Sequence, residues 1–344
     1  MKVFIVNDTV SEMHHGCSRV MNNLRKLINY SGGIVVGSSP VGLDWRRSEK
    51  IKQLMLDSDL VIVNGEGSIH HDSSAGVPLL DVGLFCKPYG VKTALVNALF
   101  QDMTLVRDEQ LAAFDFISVR DSLSKNQIEK YGVEVKLLPD LTFYSKSKNN
   151  QKSSKKNDSV WMYTCSVNIE KSVSLYQASK RCLSSSIYEP VIYGKGDWES
   201  NVGKNSIVQK FKAFGLKNFS LKVYGRLIAK LKSGEINPYS ATCLHNQYED
   251  NLEQVDFLVS GRFHSVCFAI NLGLPFVALS SNSHKIEALV KDFGLSKDRI
   301  INDVSDLDKV KYKPFTEEEK DNITQKLKSI QEEYEIFFKS MFVK

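Results

Sequence analysis

The sequence predicts an α/β protein with two Rossmann-like domains that face a cleft and a C-terminal helix that closes the structure. Short apolar strands alternate with helical patterns, which is typical of parallel βαβ units. A polar, basic and nearly apolar-free segment, residues 145–158, divides this alternation and reads as a linker. We therefore expect domains over residues 1–145 and 158–315, followed by a helix within 316–344.

In the first half, each predicted strand except the last is followed by a helical pattern. The predicted strands are 2–7, 33–37, 60–64, 92–97, 116–119 and 135–138. The predicted helices are 17–31, 48–57, 77–89, 104–113 and 122–131.

The second half begins again with a strand at 160–163 and ends in a long helix. Further strands are predicted near 189–193, 219–224, 256–259 and 275–279, whereas 195–240 lacks clear periodicity. Thr316 and Glu319 form a capping-box pattern. The apolar residues that follow it keep helical spacing: Ile323, Leu327, Ile330, Tyr334, Phe337 and Met341.

Composition limits the classes of function. The 344 residues are 42% hydrophobic and 25% charged, with a net charge of +5, which does not favour a nucleic-acid partner. The six cysteines include no CxxC pair, so we expect reduced thiols rather than a disulfide scaffold or a zinc site. No apolar run reaches about 18 residues. We expect a cytoplasmic protein whose only membrane contact is peripheral, at the inner face.

Two strand ends in the second half place a cation at the start of a helix. Arg262 and His264 follow the strand that ends at Ser260-Gly261, and Lys285 follows the strand that ends near Ser281-Asn282. Helix N-termini attract anions, and ligands of open parallel sheets lie at the carboxyl ends of strands. The pattern predicts a phosphate or carboxylate site. The alternatives are an Arg–carboxylate strut, a core histidine and a solvated lysine.

The first half has its own strand-end motif, in which Glu66 lies between two glycines after the strand 60–64 and His70 follows. Glu66 is a candidate base, and His70 could transfer protons near neutral pH. Asn64, Asp8 and His15 also follow strands and are candidates for binding an acceptor. The alternative is a set of polar loops in which Glu66 caps a helix. A metal held by the neighbouring histidines fits this spacing poorly.

Arg120 and Asp140 end two further strands of the first half. Arg120 either binds an anion or pairs with Asp121 or a helix end. Asp140 is either catalytic or the cap of a turn.

Three motifs together resemble the polysaccharide pyruvyl transferase family. They are VNGEGSIHH, then FISVRDSLSKNQIEKYGVEVKLLPDLTF, then SGRFH with the downstream GLPFVALSSNSHKIEAL. The resemblance implies a GT-B-like pair of Rossmann-like domains. It also implies transfer of an enolpyruvyl-derived unit from phosphoenolpyruvate to a sugar, which forms a pyruvate ketal.

By this resemblance Arg262 and His264 match the family's Arg-x-His positions for donor binding and acid catalysis, and Arg120 matches the family's strand-end arginine. His264 would act as the acid and Glu66 or His70 as the base. The donor anion would be bound by Arg262, Arg120 and Lys285, assisted by Ser260, Ser281 and Asn282. We expect phosphoenolpyruvate as co-substrate, a sugar or lipid-linked oligosaccharide as acceptor, and neither a cofactor nor a metal.

Two other functions remain open at this point. A GT-B glycosyltransferase would use the same cationic strand ends to bind a nucleotide sugar. A non-catalytic glycan- or anion-binding protein would use the same cations to bind its ligand and would catalyse no reaction.

Overall fold

The computed structural model describes residues 1–145, 159–191 and 244–343, together with residues 223, 226–227, 230–231 and 233–235. It contains two parallel sheets of Rossmann-like topology. Nearly all of the predicted linker and most of the segment 195–240 lie outside the described residues. Of the predicted strand 219–224 only residue 223 is described, and it is helical rather than extended.

The first sheet has six parallel strands in the order β2-β1-β3-β5-β7-β8. Its strands are β1 (Lys2–Asp8), β2 (Ile34–Pro40), β3 (Leu60–Asn64), β5 (Lys92–Ala98), β7 (Phe116–Val119) and β8 (Lys136–Leu137). A separate two-stranded sheet pairs β4 (Ile69–His70) with β6 (Phe100–Gln101). Because β1 lies between β2 and β3, the chain reverses its direction across the sheet at the β1/β3 boundary.

The second sheet repeats this plan with five parallel strands in the order β10-β9-β11-β12-β13. Its strands are β9 (Val160–Ser166), β10 (Ser185–Tyr188), β11 (Phe257–Gly261), β12 (Phe276–Leu279) and β13 (Ile300–Ile301). Here the reversal falls between β9 and β11. Ligands of such sheets bind outside the strand ends at this boundary.

Helices cover the sheets. The first six are α1 (His15–Tyr30), α2 (Glu49–Leu56), α3 (Val77–Cys86), α4 (Asp108–Ala112), α5 (Ser122–Ile128) and α6 (Ile169–Arg181). Further along the described residues lie α7 (Leu244–Glu253), α8 (Phe263–Leu272), α9 (Lys285–Asp292) and α10 (Glu317–Met341). The central strands have apolar middles because both of their faces are covered, and Val3 to Ile5 and Leu60 to Val63 are fully buried.

The C-terminal helix α10 starts at the predicted capping box, with Thr316 as N-cap. The Thr316 hydroxyl accepts from the N–H of Glu319, and the Glu319 carboxylate accepts from the N–H of Thr316. The helix contacts both domains. Glu319 forms a buried ion pair with Arg299 of the second domain. Tyr334 donates a hydrogen bond to the carbonyl of Pro139 in the first domain. This confirms the predicted closing helix.

The domains also meet at helices α1, α5, α8 and α9. A Cβ added to Gly16 in α1 would lie 2.2 Å from the Cβ of His264 in α8, so glycine is needed for this close approach. Asp292 at the end of α9 accepts a hydrogen bond from the backbone N–H of Ser122 at the start of α5, at 2.7 Å. The two Rossmann-like domains therefore face each other in the GT-B-like arrangement predicted.

Within the described part of the chain, we find no helix with the length and apolar character needed to cross a membrane.

Candidate active site

The candidate site lies where the reversal points of the two sheets face each other. Strand β3 of the first sheet leads directly into Gly65-Glu66, and strand β11 of the second leads into Arg262 and His264. The Nε2 atom of His264 is 3.4 Å from Oε1 of Glu66. The structure thus brings together, across the cleft, the two groups that the sequence predicts as acid and base.

Glu66 is buried and held by several hydrogen bonds. Its Oε2 accepts from the Thr9 hydroxyl at 2.7 Å and from the Asn64 amide at 3.3 Å. Its Oε1 accepts from the Cys17 thiol at 3.1 Å and faces His264. A Cβ on Gly65 would lie 2.6 Å from the Cα of Ala98, so the preceding glycine is required by close backbone packing. Asn64, predicted to bind an acceptor, contacts Glu66 and orients it.

His264 lies in the first turn of α8 and is 8% exposed. Its Nε2 is also 3.7 Å from Oδ2 of Asp140. Within the described residues this buried nitrogen has no hydrogen-bond partner at normal distance. His264 is therefore positioned by packing against Gly16, with Nε2 directed at two carboxylates.

Arg120 and Asp140 form a buried ion pair behind His264, with Nη1 and Oδ2 separated by 3.2 Å. The Arg120 guanidinium also lies over the ring of Phe263, 4.2 Å from its centroid. Burial opposes ionisation of Asp140, but the charges of His264 and Arg120 hold its pKa well below the usual range. Asp140 also caps a turn by accepting from the N–H of Thr142 at 2.9 Å. Of the two roles left open for Asp140, its contacts show the cap of a turn, and a catalytic role stays a prediction.

Arg262 and Lys285 provide further positive charge from the second domain. The hydroxyl of Ser260 accepts a hydrogen bond from the N–H of Arg262 at 3.0 Å, and the Arg262 Nε contacts the Cys165 thiol at 3.1 Å. Lys285 donates to the Asn282 side chain at 2.9 Å.

Burial, together with the nearby charges of Arg120 and Arg262, lowers the pKa of Lys285 to about 7. Lys285, Arg120 and Arg262 therefore lie close enough for their positive charges to repel one another. An anion bound between them would relieve this repulsion.

The helix ends beside these cations can also receive an anion. The N-cap residues of α8 and α9 are Arg262 and His284, and neither side chain caps the helix by a hydrogen bond. Uncapped backbone N–H groups at a helix N-terminus favour phosphate or carboxylate.

His70 lies near this group of cations. Its partial burial and the positive charge of Lys285 lower the pKa of its imidazole. The neutral form, which can accept a proton, is thereby favoured. Its Nδ1 lies 2.9 Å from Nδ1 of His71.

The contacts of three other predicted residues are structural. Asp8 caps the turn at Val10 and pairs with Arg25 at 2.6 Å. His15 is buried and stacks on Tyr248, with ring centroids 4.6 Å apart. Ser281 donates to Asn282. Acceptor binding by Asp8 and His15, and anion binding by Ser281, remain predictions.

Thr9 and Cys17 are site residues that sequence reasoning did not select. Both reach Glu66, although they lie 57 and 49 positions from it in the chain. The only sequence signal was their position after β1, at the start of the helix that follows. Cys17, His14 and His264 also have ligand atoms within 4.8 Å of one another, close enough to hold a metal.

Comparison with known families decides the classification. The polysaccharide pyruvyl transferase family matches residues 18–283, which is most of the chain. The chain belongs to this family. The match includes Glu66, His70, Arg120, Arg262 and His264. Among curated proteins, no sequence matches significantly.

Solved structures of similar shape include two UDP-GlcNAc 2-epimerases. That of Neisseria meningitidis is 13% identical with a TM-score of 0.45, covering 100% of this chain and 95% of that one. That of Methanocaldococcus jannaschii is 14% identical with a TM-score of 0.47, covering 90% and 91%.

Proposed function

We propose that this family member forms a pyruvate ketal on a sugar of a cell-surface polysaccharide or its precursor, with phosphoenolpyruvate as donor. The observation that carries the proposal is the separation of 3.4 Å between Glu66 and His264, which extend from opposite domains. Their position beside Arg120, Arg262 and Lys285 adds support. A base, an acid and a set of cations are what the reaction requires.

In the proposed reaction a sugar hydroxyl adds to C2 of phosphoenolpyruvate. Glu66 accepts the hydroxyl proton, and His264 delivers a proton from Nε2 to the methylene carbon C3. A second hydroxyl of the same sugar then displaces phosphate at C2, which gives the cyclic ketal and inorganic phosphate. The proton of this hydroxyl returns to His264 and the proton on Glu66 leaves with the phosphate, so both groups regain their starting states. Positioned acids and bases of this kind each contribute about 10²–10⁴-fold in rate.

The cations have a separate role. Positive charge lowers the energy of the developing oxocarbenium–phosphate pair when it is directed at the leaving phosphate. Arg262 and Lys285, with the N-termini of α8 and α9, would hold the donor phosphate and carboxylate. Arg120 is already paired with Asp140, so it would contribute mainly through the field at His264. No step of this scheme needs a metal.

The purified full-length chain, incubated with ¹⁴C-labelled phosphoenolpyruvate and a panel of lipid-linked and soluble oligosaccharides, tests the proposal. The expected product is an acid-labile labelled ketal, with release of one phosphate per ketal. The same panel with labelled nucleotide sugars tests a glycosyltransferase. Transfer from nucleotide sugars alone would replace the proposal with that function.

Arg262→Ala tests the anion site. We expect donor binding to weaken by about 2–5 kcal/mol, because a desolvated anion would lose its charged partner. Calorimetric titration with phosphoenolpyruvate measures the change. Arg181→Ala is the matched control, since Arg181 forms an exposed ion pair with Asp308 in the same domain. Equal donor affinity in Arg262→Ala and wild type would remove Arg262 from the site.

A further inference from the structure

We propose that His14, Cys17, Glu66 and His264 form a binding site for Zn²⁺ between the two domains. Two imidazoles, one thiolate and one carboxylate are ordinary zinc ligands in tetrahedral sites. Three of these residues come from the first domain and His264 comes from the second. The reaction proposed above needs no metal, so the site would have a different role.

The spacing of the ligand atoms fits a tetrahedral ion. Zinc–ligand bonds of about 2.0–2.3 Å at tetrahedral angles place neighbouring ligand atoms roughly 3.3–3.5 Å apart. Oε1 of Glu66 lies 3.4 Å from Nε2 of His264 and 3.1 Å from Sγ of Cys17. Ligand atoms of His14, Cys17 and His264 all lie within 4.8 Å of one another. Contraction of the longest of these separations by up to about 1.5 Å would complete the site.

The hydrogen bonds of Glu66 orient it as a ligand. Thr9 and Asn64 both donate to Oε2, which fixes the plane of the carboxylate and leaves Oε1 directed at Cys17 and His264. Metal-binding carboxylates are commonly held by such outer hydrogen bonds.

A second, independent observation concerns the burial and hydrogen bonding of the His264 side chain. Its side chain is more than nine-tenths buried by residue exposure, and within the described residues its Nε2 lacks a hydrogen-bond partner. A buried polar nitrogen without a partner destabilises the folded state. A metal ion among Glu66, Cys17 and His264 would satisfy that nitrogen.

Cys17 determines which metal is favoured. It lies in the first turn of α1, a helix of 16 residues, and supplies a sulfur ligand there. Thiolate and imidazole ligands favour Zn²⁺ over Mg²⁺ or Ca²⁺.

Because the ligands belong to both domains, bound zinc would hold the cleft closed. It would also occupy Glu66 and His264, so zinc should inhibit turnover. This inhibitory consequence rests on the proposed function, whereas zinc binding itself does not.

Cobalt substitution tests the binding. Tag-free full-length protein, reduced and then freed of reductant, is titrated with Co²⁺. We expect a 1:1 complex with the sulfur-to-cobalt charge-transfer band and visible bands of a tetrahedral site, all displaced by Zn²⁺. Cys17→Ser should abolish the charge-transfer band. Cys182→Ser, which removes a partly exposed thiol of the second domain, should leave it unchanged.

His14→Asn should weaken zinc binding at least tenfold, whereas the exposed His71→Asn should not. Zn²⁺ should raise the melting temperature of wild type and not of His264→Asn, whose fold is checked by circular dichroism. The absence of a charge-transfer band in wild type, or an unchanged band in folded Cys17→Ser, would overturn the site. Zinc binding without an effect on any transferase activity would overturn only the inhibition.

Discussion

Glu66 and His264 approach each other because each follows the strand at which its own sheet reverses direction. Gly65 and Gly16 permit the close packing that brings the two side chains within 3.4 Å. Thr9, Asn64 and Asp140 then fix their orientation. At the scale of single residues, the candidate site consists of two facing side chains, of which Glu66 is held by hydrogen bonds and His264 by close packing.

Single substitutions of the proposed acid and base should separate chemistry from folding. We expect Glu66→Gln and His264→Asn each to fold and each to lose about 10²-fold or more in turnover, because each removes one proton-transfer group. The loss in the double variant should be much smaller than the product of the two, since both groups serve one transition state. Steady-state rates of ketal formation measure this. Glu318→Gln on the exposed surface is the control, and near-normal turnover in Glu66→Gln would remove Glu66 as the base.

The lowered pKa of Lys285 predicts how donor binding depends on pH. Its folded-state pKa of about 7 lies below the usual 10.5, so above pH 7 the free site holds a neutral amine. A bound anion favours the charged amine. Binding should therefore take up a proton above pH 7, and phosphoenolpyruvate affinity should fall by up to about tenfold per pH unit. The phosphate of the donor, with a second pKa of about 6, is already ionised in this range.

Calorimetry at pH 8 in two buffers with different ionisation enthalpies measures the proton uptake. Lys285→Arg stays charged, so it should bind without uptake and show a flat affinity from pH 7 to 9. Lys291→Arg, exposed on the same helix, should behave as wild type. Equal proton uptake in wild type and Lys285→Arg would refute this assignment.

Several elements show how far the sequence predicts the fold. In the first domain, the apolar runs at β3 and β7 coincide with the observed strands, because these strands are buried on both faces. The strand expected near 189–193 is wrong by several residues, since β10 spans Ser185–Tyr188. It is an edge strand with a serine-rich, partly exposed sequence, so apolar character did not mark it. The two-residue strand β13 is too short for any periodicity to reveal.

The C-terminal helix stabilises the fold through Glu319, and the free energy of unfolding should therefore depend on pH. Burial alone would raise the pKa of Glu319, but hydrogen bonds from Arg299 and from two backbone N–H groups lower it to about 2. Because the folded pKa is below the usual 4.5, this stabilisation is present above pH 4.5 and is lost as the pH falls toward 2.

Glu319→Gln should lower the free energy of unfolding at pH 7 by about 3–5 kcal/mol, because it leaves Arg299 buried without a counter-charge. Urea unfolding at pH 7 and across the acid range measures the loss. Glu318→Gln, exposed on the same helical turn, is the control. Equal stability of Glu319→Gln and wild type at pH 7 would show that the ion pair adds nothing to the hydrogen bonds around it.

Across the whole molecule, the sequence predicts which residues each domain contributes to the candidate site, but not the contacts that bring them together. Glu66, Arg262 and His264 could be predicted because polar residues directly after an apolar strand mark a sheet's ligand-binding edge. The contacts of Cys17 and Thr9 with Glu66, and the pair Arg120–Asp140, depend on how distant segments pack. No local pattern encodes those distances. The site exists as one unit only when the domains are closed.

Domain closure should therefore be measurable away from the chemistry. The carboxylate of Asp292 in the second domain accepts a hydrogen bond from the N–H of Ser122, at the positive end of α5 in the first domain. Asp292→Ala removes a contact similar to a helix cap, which is worth about 0.5–2 kcal/mol. The closed population should fall, and kcat/KM should fall by roughly 2–30-fold, because only the closed form joins Glu66 to His264.

Small-angle scattering and hydrogen exchange at the start of α5 report closure directly, and kcat/KM reports its effect on the reaction. Asp298→Ala provides the matched control, because Asp298 forms an exposed ion pair with Lys313 within the second domain. Asp292→Ala should expand the molecule, speed exchange at Ser122 and lower kcat/KM together. Faster exchange with unchanged kcat/KM would mean that this contact docks the two helices without controlling the cleft.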